Sequence, residues 1–171
     1  SSDVCSSDLF THKAGGDSIF AVEAPKIKFG RGSLQEVGDD AKALGMTRVA
    51  VFTDPRVGQM QHVAKVVESL KSQGIDAVVY DQVAVEPTDV SFKQGAAFAS
   101  DGKFDGFVSV GGGSVMDTCK ASNLYSCFPA DFLDYVNAPI GKAVPVPGEL
   151  KPHIACPTTF GTASDDRTSV V

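Results

Sequence analysis

The sequence predicts an α/β domain in which a parallel sheet is flanked by helices, and three observations carry that expectation. Short apolar segments rich in β-formers (residues 47–53, 75–80, 104–110 and 153–156) alternate with longer segments whose apolar residues recur at helical spacing. The first of these strands contains the near-continuous run Val49, Ala50, Val51 and Phe52, the pattern of a strand covered by helices on both faces. The third strand breaks into Gly111-Gly112-Gly113-Ser114 and then reads as a helix, a strand–turn–helix arrangement. Alternation of this kind implies βαβ units, and hence a Rossmann-like sheet whose ligands lie beyond the carboxyl ends of the strands.

Residues 1–16 are read as a non-native or disordered leader and residues 165–171 as a non-native tail, leaving 17–164 as one domain. Segments 3–9 and 166–171 are compatible with translated sequencing adapter. Residues 20–29 alternate loosely around Pro25 and suit an extended edge segment or hairpin ending at Gly30-Arg31-Gly32. Ser33 with Glu36 reads as a capping box for a first helix, with Leu34, Val37, Ala41 and Leu44 on one face and Gly45 as its stop. Strand 47–53 ends at Asp54-Pro55. A second helix over 57–71 carries Val63, Val66, Val67 and Leu70, and Gly74 closes it before strand 75–80. Pro87-Thr88 opens a third helix with Phe92, Ala96, Ala97 and Ala99, stopping at Gly102. After strand 104–110 comes a helix over 114–127, then one helical turn over 131–136. Prolines 139, 145, 147 and 152 hold a loop extended before the strand 153–156.

Composition narrows the function. Among 171 residues, 15 bases against 21 acids give a net charge of −6, and the bases are scattered, which excludes a nucleic-acid footprint. No apolar run reaches the roughly 20 residues that span a bilayer, so no membrane partner is expected. Cys5, Cys119, Cys127 and Cys156 show neither CxxC spacing nor a disulfide framework. His12, His62 and His153 stand far apart, and no metal ligand is assigned. A hydrolase is disfavoured: there is no GxSxG and no convincing pair of carboxylates.

Three groups of residues follow strand ends. Asp54 ends the first core strand, where a carboxylate accepts hydrogen bonds from ribose hydroxyls and repels a 2′-phosphate, favouring NAD over NADP; its plainer alternative is an Asp-Pro turn or helix cap. Gly111, Gly112, Gly113 and Ser114 let the backbone approach a pyrophosphate closely at a positive helix end. This differs from the GxGxxG fingerprint, because the glycines are consecutive and follow the third strand. Asp117 is expected in the first helical turn, serving the helix dipole or orienting ligand and water, and Lys120 can pair with it at i, i+3. Thr158, Thr159 and Thr162 offer hydroxyls to a nicotinamide or ribose, or else form a serine/threonine turn. No catalytic residue is assigned.

The ordered pair Gly111-Gly112-Gly113-Ser114-x-x-Asp117-x-x-Lys120 and Pro157-Thr158-Thr159-x-Gly161-Thr162-x-Ser164 resembles the iron-containing alcohol dehydrogenases. Segments 85–89, 116–121, 123–125 and 131–142 resemble its hydroxyacid-oxoacid transhydrogenase subgroup, and the resemblance covers about residues 17–164. It implies the N-terminal nucleotide-binding domain of a two-domain, dehydroquinate synthase-like fold. The second, helical domain would supply an Asp and three His to iron or another divalent metal, and it lies outside this chain. The resemblance further implies NAD as cofactor and small hydroxyacid and oxoacid substrates: 4-hydroxybutyrate oxidised to succinate semialdehyde, 2-oxoglutarate reduced to (R)-2-hydroxyglutarate. It implies a homo-oligomer at full length and a cytoplasmic location, or a mitochondrial one in a eukaryote. An ordinary family member using free NAD is the competing enzyme, and this chain alone is expected to be a non-catalytic nucleotide-binding module. Two departures stand out: Asp165 replaces the family's Glu, and Glu86 stands where many members carry Asn.

Overall fold

The computed structural model describes residues 26–159. The leader, the tail, most of the expected edge segment, and Thr162 lie outside the described residues.

Four strands, β1 (Arg48–Phe52), β2 (Asp76–Tyr80), β3 (Gly106–Gly111) and β4 (His153–Pro157), form one sheet in the order β2-β1-β3-β4, with every pairing parallel. Among the described residues four α-helices accompany them: α1 (Val37–Ala43), α2 (Gln61–Ser72), α3 (Asp89–Gly102) and α4 (Gly113–Cys127). Because side chains alternate along a strand, β1 feeds two cores. Val49 and Val51, with Val108 and Val110 of β3, pack against Val37, Ala41, Val63, Val66 and Leu70 of α1 and α2. Ala50 and Phe52, with Phe107, pack against Ala99, Val115 and Cys119 of α3 and α4. Full burial of a side chain such as Phe52 or Leu70 contributes about 1.5–3 kcal/mol, which is why the strands lie between two helical layers.

Several local expectations need correction. Ser33 and Glu36 do not form a capping box. Gly32 takes the left-handed region at φ 90°, so the chain enters through a 3-10 turn (Ser33–Glu36) with no side-chain cap, and Glu36 instead pairs with Lys28 at 2.8 Å. Leu44, placed on the apolar face by periodicity, is just past the end of α1 and exposed. The helix predicted over 57–71 is broken at Met60, whose ψ of 158° separates a 3-10 turn (Val57–Gln59) from α2. Residues 131–136 hold one hydrogen-bonded turn, Asp134 N–H donating to Asp131 O at 2.9 Å, and it does not continue as a helix because that stretch pairs with the chain doubling back. Lys142 N–H donates to Leu133 O, Ala143 N–H to Val136 O and Val144 N–H to Asp134 O, at 2.8–2.9 Å. The start of α3 is as expected, with Thr88 and Ser91 capping each other.

At the end of the sheet where the strands begin, Asp105 clips β3 to β1. Its carboxylate accepts the N–H groups of Thr47 (2.9 Å) and Arg48 (2.9 Å) as well as the Thr47 hydroxyl. Burial opposes ionisation there, but these hydrogen bonds outweigh it and hold the carboxyl below the usual carboxylate range.

Candidate functional site

The chain leaves β1 towards β2 on one side and returns to β3 on the other, so the connections diverge beyond the carboxyl ends of β1 and β3. Such a switch point opens a crevice in an open α/β sheet. Here the crevice has a volume of about 220 Å³ and is lined by Asp54, Ala84, Val85, Gly112, Gly113, Ser114, Val115 and Thr159. A larger, shallow depression on the outside of α2, lined by Ala64, Val67, Glu68, Lys71 and Ser72, has no comparable glycine turn or helix end.

Each wall of the crevice has a local cause. Gly111 ends β3, and Gly112, in extended backbone, precedes α4; Val115 and Met116 N–H groups donate to its carbonyl at 3.0 and 3.1 Å. No side chain caps this helix end, and Gly113 and Ser114 at its start line the crevice, which brings the positive end of the helix dipole to it. A Cβ added at Gly112 would stand 3.2 Å from Thr159 Oγ1, so the turn and the segment after β4 approach closely. Thr158 N–H donates to Gly111 O at 2.9 Å and extends that contact. On the opposite wall, Asp54 Oδ1 accepts the N–H groups of Arg56 (2.9 Å) and Val57 (3.0 Å), capping the 3-10 turn that follows. The turn-opening role foreseen for Asp54 is thus realised, and both bonds fall on one carboxylate oxygen.

The predicted residues are therefore partly assembled. Asp54, Gly112, Gly113, Ser114 and Thr159 line one crevice; Gly111 and Thr158 buttress it. Asp117 lies beyond the first turn of α4, because the helix begins at Gly113 rather than Ser114, and it is exposed and outside the lining. Ser114 has a role the sequence did not suggest: its hydroxyl donates to Val85 O, tying the 81–88 loop across the crevice. A hydroxyl carries one proton, so while this bond holds, Ser114 offers an oxyanion its backbone N–H rather than its side chain. Val85 and Ala84 were also missed, since apolar residues in a loop carry no chemical signal.

The residues fit a dinucleotide: a carboxylate at the end of β1, a glycine turn and an uncapped helix end at β3, and hydroxyls after β4. They do not fit a metal, for among the described residues no group of three His, Cys, Asp or Glu side chains could hold one. None of the described helices is long and apolar enough to cross a membrane.

Fold and crevice together define a parallel α/β domain with an anion-suited turn at its switch point. The signature of the iron-containing alcohol dehydrogenases matches residues 24–171, and the chain belongs to that family. It is 51% identical over 150 residues to the mitochondrial hydroxyacid-oxoacid transhydrogenase of Bos taurus, covering 87% of this chain and 32% of that protein. The chain thus spans about a third of the length of the curated relatives it matches. A solved 1,3-propanediol oxidoreductase superposes with a TM-score of 0.76 at 27% identity, over 87% of this chain and 38% of that one. An NADH-dependent butanol dehydrogenase A from Thermotoga maritima does so with a TM-score of 0.66 at 25% identity, over 80% and 34%.

Proposed function

We propose that this chain is the cofactor-binding part of an NAD- and metal-dependent hydroxyacid-oxoacid transhydrogenase. The observation that carries the reading is the meeting of Asp54, the Gly112–Gly113 turn and Thr159 in one crevice at the switch point, although 105 residues separate the first from the last. Asp54 would accept the adenosine ribose hydroxyls, the N–H groups of Gly112, Gly113 and Ser114 would hold the pyrophosphate, and Thr158, Thr159 and Thr162 would face the nicotinamide end. Asp117 would act at longer range on the same helix. When bound, NAD would supply hydride acceptance from one substrate and donation to the next. This chain's own residues bind and orient it. The butanol dehydrogenase relative is NADH-dependent by name, which supports a nicotinamide cofactor.

The substrate assignment rests on the 51% identity with the bovine transhydrogenase. 4-Hydroxybutyrate would give succinate semialdehyde, and 2-oxoglutarate would take the hydride and a proton to give (R)-2-hydroxyglutarate. Residues 17–164 form the nucleotide-binding domain in this reading, and iron or another divalent metal belongs to a helical domain outside this chain. A homo-oligomer at full length and a mitochondrial location, as in the names of the relatives, complete the proposal. The test has two arms. NAD and NADP are titrated into this chain, where NAD should bind more tightly. A chain extended through the metal domain is then given both substrates, where turnover without added free NAD supports the transhydrogenase. Turnover only with free NAD points to an ordinary alcohol dehydrogenase, and no NAD binding by this chain removes the reading.

A further inference from the structure

The ladder between β1 and β3 runs in register from Val49↔Gly106 to Phe52↔Ser109. One residue further on, the strands part to form the crevice, and there Thr53 is fully buried. Its hydroxyl donates to Val110 O at 2.9 Å. Its N–H donates to Tyr80 O at 2.9 Å, and its carbonyl accepts Val83 N–H at 3.3 Å. Thr53 is therefore bonded to all three segments that lead into the site: β3 just before Gly111, the end of β2, and the 81–88 loop whose Val85 carbonyl is held by Ser114. It also directly precedes Asp54.

From this we propose that Thr53 is a positioning residue of the crevice, its hydroxyl fixing the separation of the Asp54 carboxylate from the glycine turn. The inference rests on the nucleotide-binding reading above. The two backbone bonds, to Tyr80 O and from Val83 N–H, could be made by any residue other than proline in this conformation, but only a hydroxyl here can reach Val110 O where the ladder has ended. Valine has nearly the shape of threonine without the donor, and it would leave Val110 O buried and unpaired. The crevice could then relax in width. A ligand that spans it would suffer, whereas one that touches a single wall would not.

The experiment titrates NAD and adenosine into the full chain and its Thr53→Ser, Thr53→Cys and Thr53→Val variants. NAD reaches from ribose to pyrophosphate, and adenosine reaches only the ribose wall. Thr53→Ser should keep NAD affinity within about twofold, while Thr53→Val should weaken it by about tenfold, with adenosine nearly unchanged in both. Thr53→Cys, similar in size to serine but a weak donor, should fall between them and decides the matter if Thr53→Val does not fold. Unchanged NAD affinity in the valine and cysteine variants overturns the inference. So does an equal loss for NAD and adenosine, which marks a general structural effect, or a loss in Thr53→Ser as large as that in Thr53→Cys, which assigns the effect to the methyl group. Failure of the unmodified chain to bind NAD overturns the nucleotide reading itself, and the inference with it.

Discussion

Acidification should destabilise this fold through one histidine, before Asp40 and Asp105 protonate. His153 opens β4 and shares a hydrogen bond of 2.8 Å with the fully buried Ser109 on the neighbouring strand. Burial, helped by the positive charge of Lys120, lowers its pKa from 6.5 to about 4. The folded state thus binds its proton less readily than the unfolded state. Stability from the neutral imidazole is complete above pH 6.5 and is lost as pH falls towards about 4. At 1.36 kcal/mol per pKa unit the ceiling is roughly 3 kcal/mol. His153 keeps some contact with solvent, which brings the expected loss to about 2 kcal/mol, or roughly 5 °C in Tm for a chain of this size. Asp40 and Asp105 have the opposite sign. Lys28 bonding at Asp40 and the Thr47–Arg48 clip at Asp105 keep both below 3.8, so their contributions persist through this window and disappear only at lower pH. Thermal unfolding followed by circular dichroism from pH 7 to about 4.5 would show the decline, and His153→Gln, which cannot titrate, should flatten it. An identical decline in the unmodified chain and the glutamine variant would refute the argument.

Asp54→Ala should narrow the preference for NAD over NADP, measured by calorimetric titration; equal affinities in the unmodified chain would sink the ribose assignment. Gly112→Val should weaken NAD by at least about tenfold while leaving Tm within a few degrees, since a Cβ there already stands 3.2 Å from Thr159 Oγ1 at the crevice wall. Asp105→Ala should cost about 1–3 kcal/mol in urea unfolding without altering NAD affinity per folded molecule, because it frees two N–H groups at the far end of the sheet. Iron or zinc added to this chain should be removed by brief chelation, whereas a chain extended through the proposed metal domain should retain about one equivalent by atomic absorption.

The strands were legible because two helical layers demand it: only a sheet buried on both faces reads as Val49-Ala50-Val51-Phe52 and Phe107-Val108-Ser109-Val110. Helix ends were legible where a residue has one dominant use, as with Thr88 at the start of α3, and Gly45 and Gly74 at positive φ beyond α1 and α2. They were misread where two local signals compete. Ser33 and Glu36 have capping-box spacing, but Gly32 ahead of them permits a left-handed entry, and a 3-10 turn then takes up the bonds the box would have satisfied. Periodicity across 57–71 ran through Met60 because apolar spacing does not register one extended residue between a 3-10 turn and a helix.

In the site the division is chemical. Residues whose type suggests a function at a strand end, namely Asp54, the glycines and Thr159, could be picked out one at a time. What could not be read is which polar groups are already spent on one another. Ser114 looks like an oxyanion ligand, yet its proton goes to Val85 O, 29 residues away. Thr53 looks like an ordinary β-former closing an apolar strand, yet its hydroxyl is committed to Val110 O, 57 residues away. Both bonds join segments that become neighbours only when β3 has been laid beside β1, so no local spacing encodes them. The available hint is indirect: a hydroxyl residue at the last buried position of a strand, next to a turn rich in glycine, has little but a neighbouring strand's carbonyl to bond. On that reasoning the side chains that hold the crevice in shape are distinct from the backbone groups left free to meet a ligand, and substitutions at the two kinds of position should separate binding geometry from binding contact.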